Sequence, residues 1–351
     1  MQDLAPLILP RAPPLDPSWL AHESAANLLA PKPSLSAIDR QPLYAASCRA
    51  LNASMMAPGA RDHHLSRGIS ISSLTIPSTV DGFAIPVLRY ETELTKTASG
   101  GGKKANEWEE KERKEKVILV YYHGGGLVVG EADSEDLSCR RLVLQSGIAQ
   151  HLTLYSVGYR LMPQVPACTC VPDALDAFTS ICNLNRGAKF ILVGSSSGGE
   201  LAALVSQMAP RGSVHGVLLR CPVTSDAFSG PQYVPARLRA MHTSASESFV
   251  TSLLGFFTRE VPRDGLERMP LEIGEEELVG LPRTWIQICT NDVLYSDGLC
   301  YAKALQDAGV PVKVDVVVGY PHTFWLKAPQ LQRALEADEE MLRGLVWAAD
   351  V

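Results

Sequence analysis

The sequence predicts an α/β fold built on a mostly parallel central sheet with helices on both faces. Beyond residue 117, apolar runs of strand length alternate with segments of helical length, the pattern of strands joined by right-handed crossovers. Two of these runs end in glycine-rich motifs, at His123–Gly126 and Gly194–Gly198, where turns are expected. With 46% hydrophobic and 20% charged residues among 351, the chain can bury a full core.

The first 65 residues are rich in Pro and Ala and contain two helical candidates. Asp16 before Pro17 is typical of a helix start, as the N-cap and the first helical residue. A second helix is predicted over about 42–56, where Leu43 and Leu51 share one face. Residues 1–65 are therefore predicted to form a helical N-terminal arm.

The rest of the chain divides into two parts of one core, 66–224 and 281–351, separated by an insertion. Strands are predicted at 69–76, 83–90, 117–122, 152–157, 190–194, 215–220, 284–289 and 312–318. Helices are predicted at about 132–149, 171–184, 198–208, 298–308 and 328–348. Residues 95–116 mix Glu, Lys and Arg after a Gly-rich start, which predicts a solvated hairpin insertion.

The alternation of strands and helices stops between Thr224 and Gly280. Because this stretch follows one strand and precedes the next, residues 225–280 are predicted to lie as a lid over the carboxyl edge of the sheet. A helix is expected near 245–258, apolar on more than one face and therefore covered on both sides.

Composition excludes several classes of partner. A net charge of −6 and a pI of 5.8 give no reason to expect nucleic acid or an anionic membrane. No apolar run approaches the length of a membrane span, and no secretory signal is evident, so a cytoplasmic location is expected. The eight cysteines include no C-x-x-C pair, so no metal, cofactor or disulfide framework is predicted. The oligomeric state stays open.

The two glycine motifs supply complementary halves of acyl-transfer chemistry. A strand that ends in Gly124–Gly126 exposes backbone N–H groups without side chains in the way, which suits an oxyanion. A strand that ends in G-x-S-x-G turns sharply into a helix and presents its central serine, here Ser196. Ser196 then needs a base, and the base needs a carboxylate that orients it.

His322 is the best placed base, because it follows the alternating run 312–318 and a stiff Gly-Tyr-Pro turn. Asp292 follows another strand and completes the chain order Ser, Asp, His, whereas Asp297 is the competing carboxylate at a helix start. A histidine base predicts activity that rises with pH through one titration, around 6 to 7. His123 is expected to hold the glycine loop by hydrogen bonding.

These motifs resemble those of the hormone-sensitive-lipase branch of the α/β-hydrolases, which carries H-G-G-G and G-D-S-A-G-G. The resemblance covers residues from about 70 to 346. Its further segments are Tyr159–Pro163 (similar to Y-R-L-A-P), Leu281-Pro282, Asp292–Leu294 (similar to D-P-L), Tyr301-Ala302, Ala308–Val312 and His322–Phe324. The segment Gly126–Asp133 is similar to fungal members, so the chain is identified as a fungal-type, carboxylesterase-like member of this branch.

The resemblance implies an α/β-hydrolase fold with a helical cap formed by residues 1–65 and 225–280. It also implies the role of each site residue. The nucleophile would be Ser196, the orienting acid Asp292 and the base His322; the oxyanion hole would comprise Gly124, Gly125, Gly126 and Ser197, with Gly124 shaping the loop. Candidate residues of the substrate pocket are Leu127, Phe249 and Phe256, although packing inside the lid would explain the two phenylalanines equally.

Three positions depart from the family pattern: Ser195 replaces Asp, Gln164 replaces Glu and Val293 replaces Pro. None is a triad member, and the first two should change polar support around the turn at Ser196. The function implied is hydrolysis of a small, mostly apolar carboxylic ester through an acyl-enzyme, in a fungal secondary-metabolite pathway. The alternatives are an amide deacetylase, a non-hydrolytic enzyme for cyclisation, dehydration or acyl transfer, and a ligand-binding receptor, which the retained His322 disfavours.

Overall fold

The computed structural model describes residues 2–31, 34–93, 116–148, 151–252 and 259–350. An eight-stranded sheet runs through the molecule in the order β1-β2-β4-β3-β5-β6-β7-β8. The strands are β1 Ile69–Pro77, β2 Ala84–Thr92, β3 Val117–Tyr122, β4 Leu152–Val157, β5 Lys189–Ser195, β6 Gly216–Arg220, β7 Arg283–Asn291 and β8 Val312–Pro321. Only the pairs β1–β2 and β2–β4 of this sheet are antiparallel. All eight predicted strands, and the mostly parallel sheet, are confirmed.

Helices cover both faces of the sheet. They are α1 Pro17–Ala25, α2 Ala37–Met55, α3 Asp136–Gln145, α4 Ala167–Leu184, α5 Ser197–Met208, α6 Glu275–Leu278, α7 Tyr295–Asp307, α8 Phe324–Lys327 and α9 Gln332–Ala349. In β3, Ile118 and Val120 belong to a core cluster with α4, α5 and α7, whereas Val117 and Leu119 belong to one with α3 and α9. This alternation follows from the two-residue period of a strand and buries both faces of β3.

The N-terminal arm contains α1 and α2 and is hydrogen-bonded to the rest of the chain. The Asp16 carboxylate accepts the Ser18 N–H at 2.8 Å, which caps α1, and the side chain of Trp19 is fully buried. Helix α2 begins at Ala37, before the predicted start, because Ser36 caps it. Hydrogen bonds join the arm to the core between Gln2 and Val314, Leu7 and Tyr295, Pro13 and Asn291, and Asp16 and Gly319. Another joins it to the insertion, between Leu9 and Thr243.

The prediction of a helix near 245–258 is wrong for residues 245–252, the part of it that the structure describes. There the chain forms only a 3₁₀ turn at Glu247–Phe249. Hydroxyl groups around this turn bind elsewhere: the Ser244 Oγ donates to the Val293 carbonyl at 2.7 Å, and the Ser246 Oγ donates to the Thr243 carbonyl at 3.0 Å. Such side chains compete with helical hydrogen bonds, so apolar periodicity alone misleads here.

Two sequence predictions fall on other parts of the chain. Most of the insertion predicted at 95–116 and residues 253–258, which include Phe256, lie outside the described residues. Across the ranges that are described, no helix is both long enough and apolar enough to cross a membrane.

Candidate active site

A strained turn between β5 and α5 presents Ser196. Its φ and ψ are 52° and −121°, a conformation that non-glycine residues rarely adopt. The glycines on either side allow the chain to close on itself. A Cβ on Gly194 would lie 2.1 Å from the Gly198 carbonyl oxygen, and one on Gly198 would lie 2.0 Å from that of Tyr122. The G-x-S-x-G spacing is therefore required by close backbone contacts.

The structure brings Ser196, His322 and Asp292 together at the carboxyl ends of β5, β8 and β7. The Ser196 hydroxyl lies 2.9 Å from Nε2 of His322, positioned to donate its proton. The Nδ1–H of His322 donates to Oδ2 of Asp292 at 2.6 Å. The other oxygen of Asp292 accepts the Leu294 N–H at 2.9 Å, so the carboxylate is fixed on both sides. These distances match those that a serine nucleophile, a histidine base and an orienting acid require.

Burial and charge act in opposite directions on His322. Its desolvation disfavours the imidazolium, but the adjacent Asp292 carboxylate, together with Cys221, raises the pKa of His322 to about 10, above the ordinary histidine range. Asp292 itself is 1% exposed and cannot exchange its histidine partner for water. The base is therefore coupled tightly to its carboxylate.

Asp297, the competing carboxylate, is engaged elsewhere. Its Oδ2 accepts the N–H groups of Thr224 at 2.7 Å and Ser225 at 2.8 Å, and its Oδ1 lies 2.8 Å from Nε2 of His242. Asp297 is also not the N-cap of α7, because Leu294 occupies the N-cap position. Asp297 joins α7 to the loop after β6 and does not reach His322 in this arrangement.

The glycine loop, residues 123–126 after β3, has only some of its backbone N–H groups available to bind an oxyanion. The Gly124 N–H donates to the Glu135 carboxylate at 2.8 Å, so Gly124 cannot donate to an oxyanion and only shapes the loop. Within the described ranges, no hydrogen bond engages the N–H of Gly125 or Gly126. The N–H of Ser197, in the first turn of α5, likewise has no partner within its helix.

His123 holds this loop, as the sequence predicts. Its Nδ1–H donates to the Gly124 carbonyl at 2.8 Å, and its own carbonyl accepts the Tyr159 hydroxyl at 2.6 Å. The two rings stack with their centroids 4.3 Å apart. Burial lowers the pKa of His123, so the ring stays neutral and acts as a structural element.

Glu135 is a site residue that the sequence analysis missed. Its buried carboxylate accepts hydrogen bonds from the Tyr121 hydroxyl at 2.5 Å, the Gly124 N–H at 2.8 Å and the Ser195 hydroxyl at 2.5 Å. Glu135 lies in the acidic run 131–136, a pattern more typical of a solvated helix start. The only signal for its burial is that Ser195, in the position of the family's Asp, needs a nearby partner.

Two of the three predicted pocket residues, Leu127 and Phe249, are buried in the core. The Leu127 side chain is 1% exposed and that of Phe249 is 0% exposed, and both belong to the main core cluster. Phe249 stacks on Tyr295 with ring centroids 6.2 Å apart. For these two residues the structure supports the packing interpretation, while Phe256 lies outside the described residues.

The other departures from the family pattern lie away from the turn at Ser196. Gln164 donates to the Gln41 side chain at 2.6 Å, and Gln41 donates to the Val128 carbonyl at 2.8 Å. Gln164 thus attaches the arm to the end of the glycine loop and does not support the turn, contrary to expectation. Val293 is fully buried and its carbonyl accepts the Ser244 hydroxyl.

One group of potential metal ligands overlaps the site in the part of the chain that is described. Ligand atoms of Cys221, Asp292 and His322 all lie within 4.8 Å of one another. The 2.6 Å separation between Nδ1 and Oδ2 fits a shared proton. A tetrahedral zinc ion bound to both atoms would hold them about 3.4 Å apart. The geometry therefore favours a hydrogen-bonded pair over a metal site.

Sequence comparison finds relatives that match about 63% of this chain. An FAD-linked oxidoreductase (pytB) of Aspergillus terreus is 31% identical over 231 residues, 63% of this chain but only 28% of that protein. A versiconal hemiacetal acetate esterase of Dothistroma septosporum is 27% identical over 236 residues, 63% of this chain and 70% of the relative. The match thus spans less than a third of the first relative and about two thirds of the second.

The comparison with solved structures and with family models defines the fold family. An esterase of Pyrobaculum calidifontis superposes with a TM-score of 0.67 at 24% identity, covering 94% of this chain and 97% of that structure. The model of the alpha/beta hydrolase fold matches residues 119–326, more than half of the chain, which include Ser196, Asp292 and His322. The chain belongs to the alpha/beta hydrolase fold family, in its hormone-sensitive-lipase branch.

Proposed function

We propose that this chain hydrolyses carboxylic esters through an acyl-enzyme formed on Ser196. The observation that carries this proposal is the pair of short contacts at His322, 2.9 Å to the Ser196 hydroxyl and 2.6 Å to the Asp292 carboxylate. A serine hydroxyl is a weak nucleophile until such a base removes its proton. The esterase from Dothistroma septosporum among the relatives supports the same chemistry.

The reaction proceeds in two halves at one set of atoms. The Ser196 Oγ attacks the ester carbonyl carbon while Nε2 of His322 takes the hydroxyl proton, and the imidazolium then returns that proton to the leaving alcohol. Water attacks the acyl-enzyme, His322 accepts the water proton, and the proton passes to Ser196 as the carboxylic acid leaves. Asp292 keeps the imidazole in the required tautomer and stabilises its positive form.

The negative charge of the tetrahedral intermediate needs donors that are not already engaged. We assign this role to the N–H groups of Gly125, Gly126 and Ser197, for which no hydrogen bond is found among the described residues. Preorganised donors of this kind stabilise charge that develops only in the transition state. Gly124 is left out because its N–H is bound to Glu135.

The proposed substrate is a small, mostly apolar ester of the acetate type, from secondary metabolism. It rests on the name of the Dothistroma septosporum relative, a versiconal hemiacetal acetate esterase. The arm, residues 1–65, and the insertion, residues 225–280, form the proposed cap over the acyl side of the site. The Asn291 side chain, next to Asp292, donates to the Pro13 carbonyl at 2.6 Å, which supports this proposal.

Replacing Ser196 with Ala tests the proposal most directly. Turnover of nitrophenyl esters should fall on the order of 10⁶-fold, while the fold persists. A fluorophosphonate probe should label the wild-type protein and Ser213→Ala, which changes a partly exposed serine, but not Ser196→Ala. Product analysis should show free carboxylic acid. Labelling that persists in Ser196→Ala, or a product without free acid, would contradict the proposed function.

A further inference from the structure

Both residues that flank Ser196 are serines, and both side chains are buried. Ser195 is 0% exposed and Ser197 is 1% exposed. Neither points to solvent, and neither is needed for the proton transfers at Ser196. Each hydroxyl instead makes a hydrogen bond that leads to the glycine loop, one towards its start and the other towards its end.

The Ser195 hydroxyl is joined to the start of the loop through Glu135. Its Oγ donates to Oε1 of Glu135 at 2.5 Å, and the same oxygen accepts the Gly124 N–H at 2.8 Å. The second oxygen accepts the Tyr121 hydroxyl at 2.5 Å, next to the end of β3. A buried carboxylate is costly unless its oxygens are bound, and here donors from both segments meet at it.

The Ser197 hydroxyl is joined directly to the end of the loop. Its Oγ accepts the Leu127 N–H at 3.2 Å, which fixes the residue after Gly126. The same hydroxyl is hydrogen-bonded to the Tyr159 hydroxyl, which in turn donates to the His123 carbonyl at 2.6 Å. This second series of hydrogen bonds therefore also returns to the first residue of the glycine motif.

We propose that Ser195, Glu135 and Ser197 are positioning residues that fix the glycine loop on the turn at Ser196. Hydrogen bonds at Gly124 and Leu127 bracket Gly125 and Gly126, whose N–H groups stay available. These two hydrogen bonds set the distance from the Gly125 and Gly126 N–H groups to the Ser196 Oγ. This inference rests on the proposed function, because the spacing matters only if an oxyanion forms between the loop and Ser196.

Positioning residues of this kind have a distinct kinetic signature. The oxyanion exists in the transition state and not in the bound ester, so a displaced donor lowers kcat more than it changes KM. Loss of one supporting hydrogen bond should lower kcat about tenfold. Binding of a transition-state analogue should weaken by a similar factor.

The experiment uses Ser197→Ala and Ser195→Ala in the full chain, with Ser206→Ala as the matched control. Ser206 is also a buried serine of α5 but lies beyond its first turn. We expect each flanking variant to lose about tenfold in kcat with KM changed less than about twofold. Affinity for a trifluoromethyl ketone or boronic acid should fall about tenfold, and Ser197→Thr should restore it because the hydroxyl returns.

Labelling of Ser196 by a fluorophosphonate probe separates failure of this inference from failure of the proposed function. Persistent labelling in both flanking variants shows that the nucleophile and base are intact, so a lower kcat then reports on the loop. The inference is overturned if labelling persists while kcat and analogue affinity match those of Ser206→Ala. It is equally overturned if Ser197→Thr remains as impaired as Ser197→Ala at the same melting temperature.

Discussion

The proposed catalytic centre and the arm are held in place by different means. Ser196, Asp292 and His322 follow directly after parallel strands, so the hydrogen-bond register of β5, β7 and β8 brings them together. The arm instead depends on side-chain contacts with distant parts of the chain, such as the buried Trp19 and the Asn291 amide bound to the Pro13 carbonyl. Substitutions at the centre should therefore affect turnover strongly at little cost in stability, whereas those on the cap side should affect stability first.

After Ser196→Ala, the largest effect expected in this comparison comes from Asp292→Asn. Loss of the carboxylate leaves His322 without the partner that selects its tautomer, so kcat should fall on the order of 10⁴-fold. The pH dependence should move too. Because Asp292 raises the pKa of His322, wild-type kcat/KM should rise with pH at a midpoint above the ordinary range of 6 to 7. In Asp292→Asn the residual activity should rise at a lower pH, measured by pH–rate profiles.

Asp297→Asn is the matched control for that prediction. Asp297 is as buried as Asp292 but binds Thr224, Ser225 and His242. Its replacement should therefore lower the melting temperature, while kcat falls much less than in Asp292→Asn. A larger fall in kcat for Asp297→Asn than for Asp292→Asn, at equal melting temperatures, would reverse the assignment of the orienting acid.

The contrast between the regions also explains which features could be predicted from the sequence. Asp292 and His322 are recognisable because each follows a periodic apolar strand, and parallel strands end at one edge. Glu135 is not, because its burial depends on Tyr121 and Ser195, which are distant in sequence. The prediction of a helix near 245–258 is wrong for its described part because side chains there, such as the Ser252 hydroxyl bound to Glu23, have partners distant in sequence. Local periodicity identifies elements, whereas tertiary partners decide irregular segments.

An intermediate effect is expected from Gly126→Ala in the glycine loop. Gly126 has a φ of +66°, and a Cβ there would meet no protein atom within 4 Å. The methyl group should therefore be tolerated with a modest backbone strain of about 1 kcal/mol, but it crowds the space where the substrate oxygen must approach. Loss of one oxyanion donor lowers turnover by roughly 10²- to 10³-fold. The measurement is kcat together with thermal unfolding.

Gly125→Ala provides the contrasting outcome for the same loop. Its Cβ would lie 2.0 Å from the Val129 carbonyl oxygen, so this variant should lose folding stability as well as activity. Normal turnover in Gly126→Ala would remove the oxyanion role from that N–H. Equal losses of melting temperature in the two variants would show that the loop responds as a packing element only.

The smallest direct effect on turnover is expected from Phe249→Ala, in the insertion. Phe249 has no exposed surface and stacks on Tyr295, whose hydroxyl donates to the Leu7 carbonyl at 2.7 Å. Removing the ring should destabilise the fold by about 3–5 kcal/mol, as for other buried phenylalanines. Activity on acetate and octanoate esters should then fall in parallel with the melting temperature. At temperatures below the melting temperature of the variant, labelling of Ser196 should persist. A shift in preference between the two esters at unchanged stability would return Phe249 to the substrate pocket. It would also show that the insertion selects the acyl group and does more than pack against the core, because a residue that only packs has no means of distinguishing acyl chains.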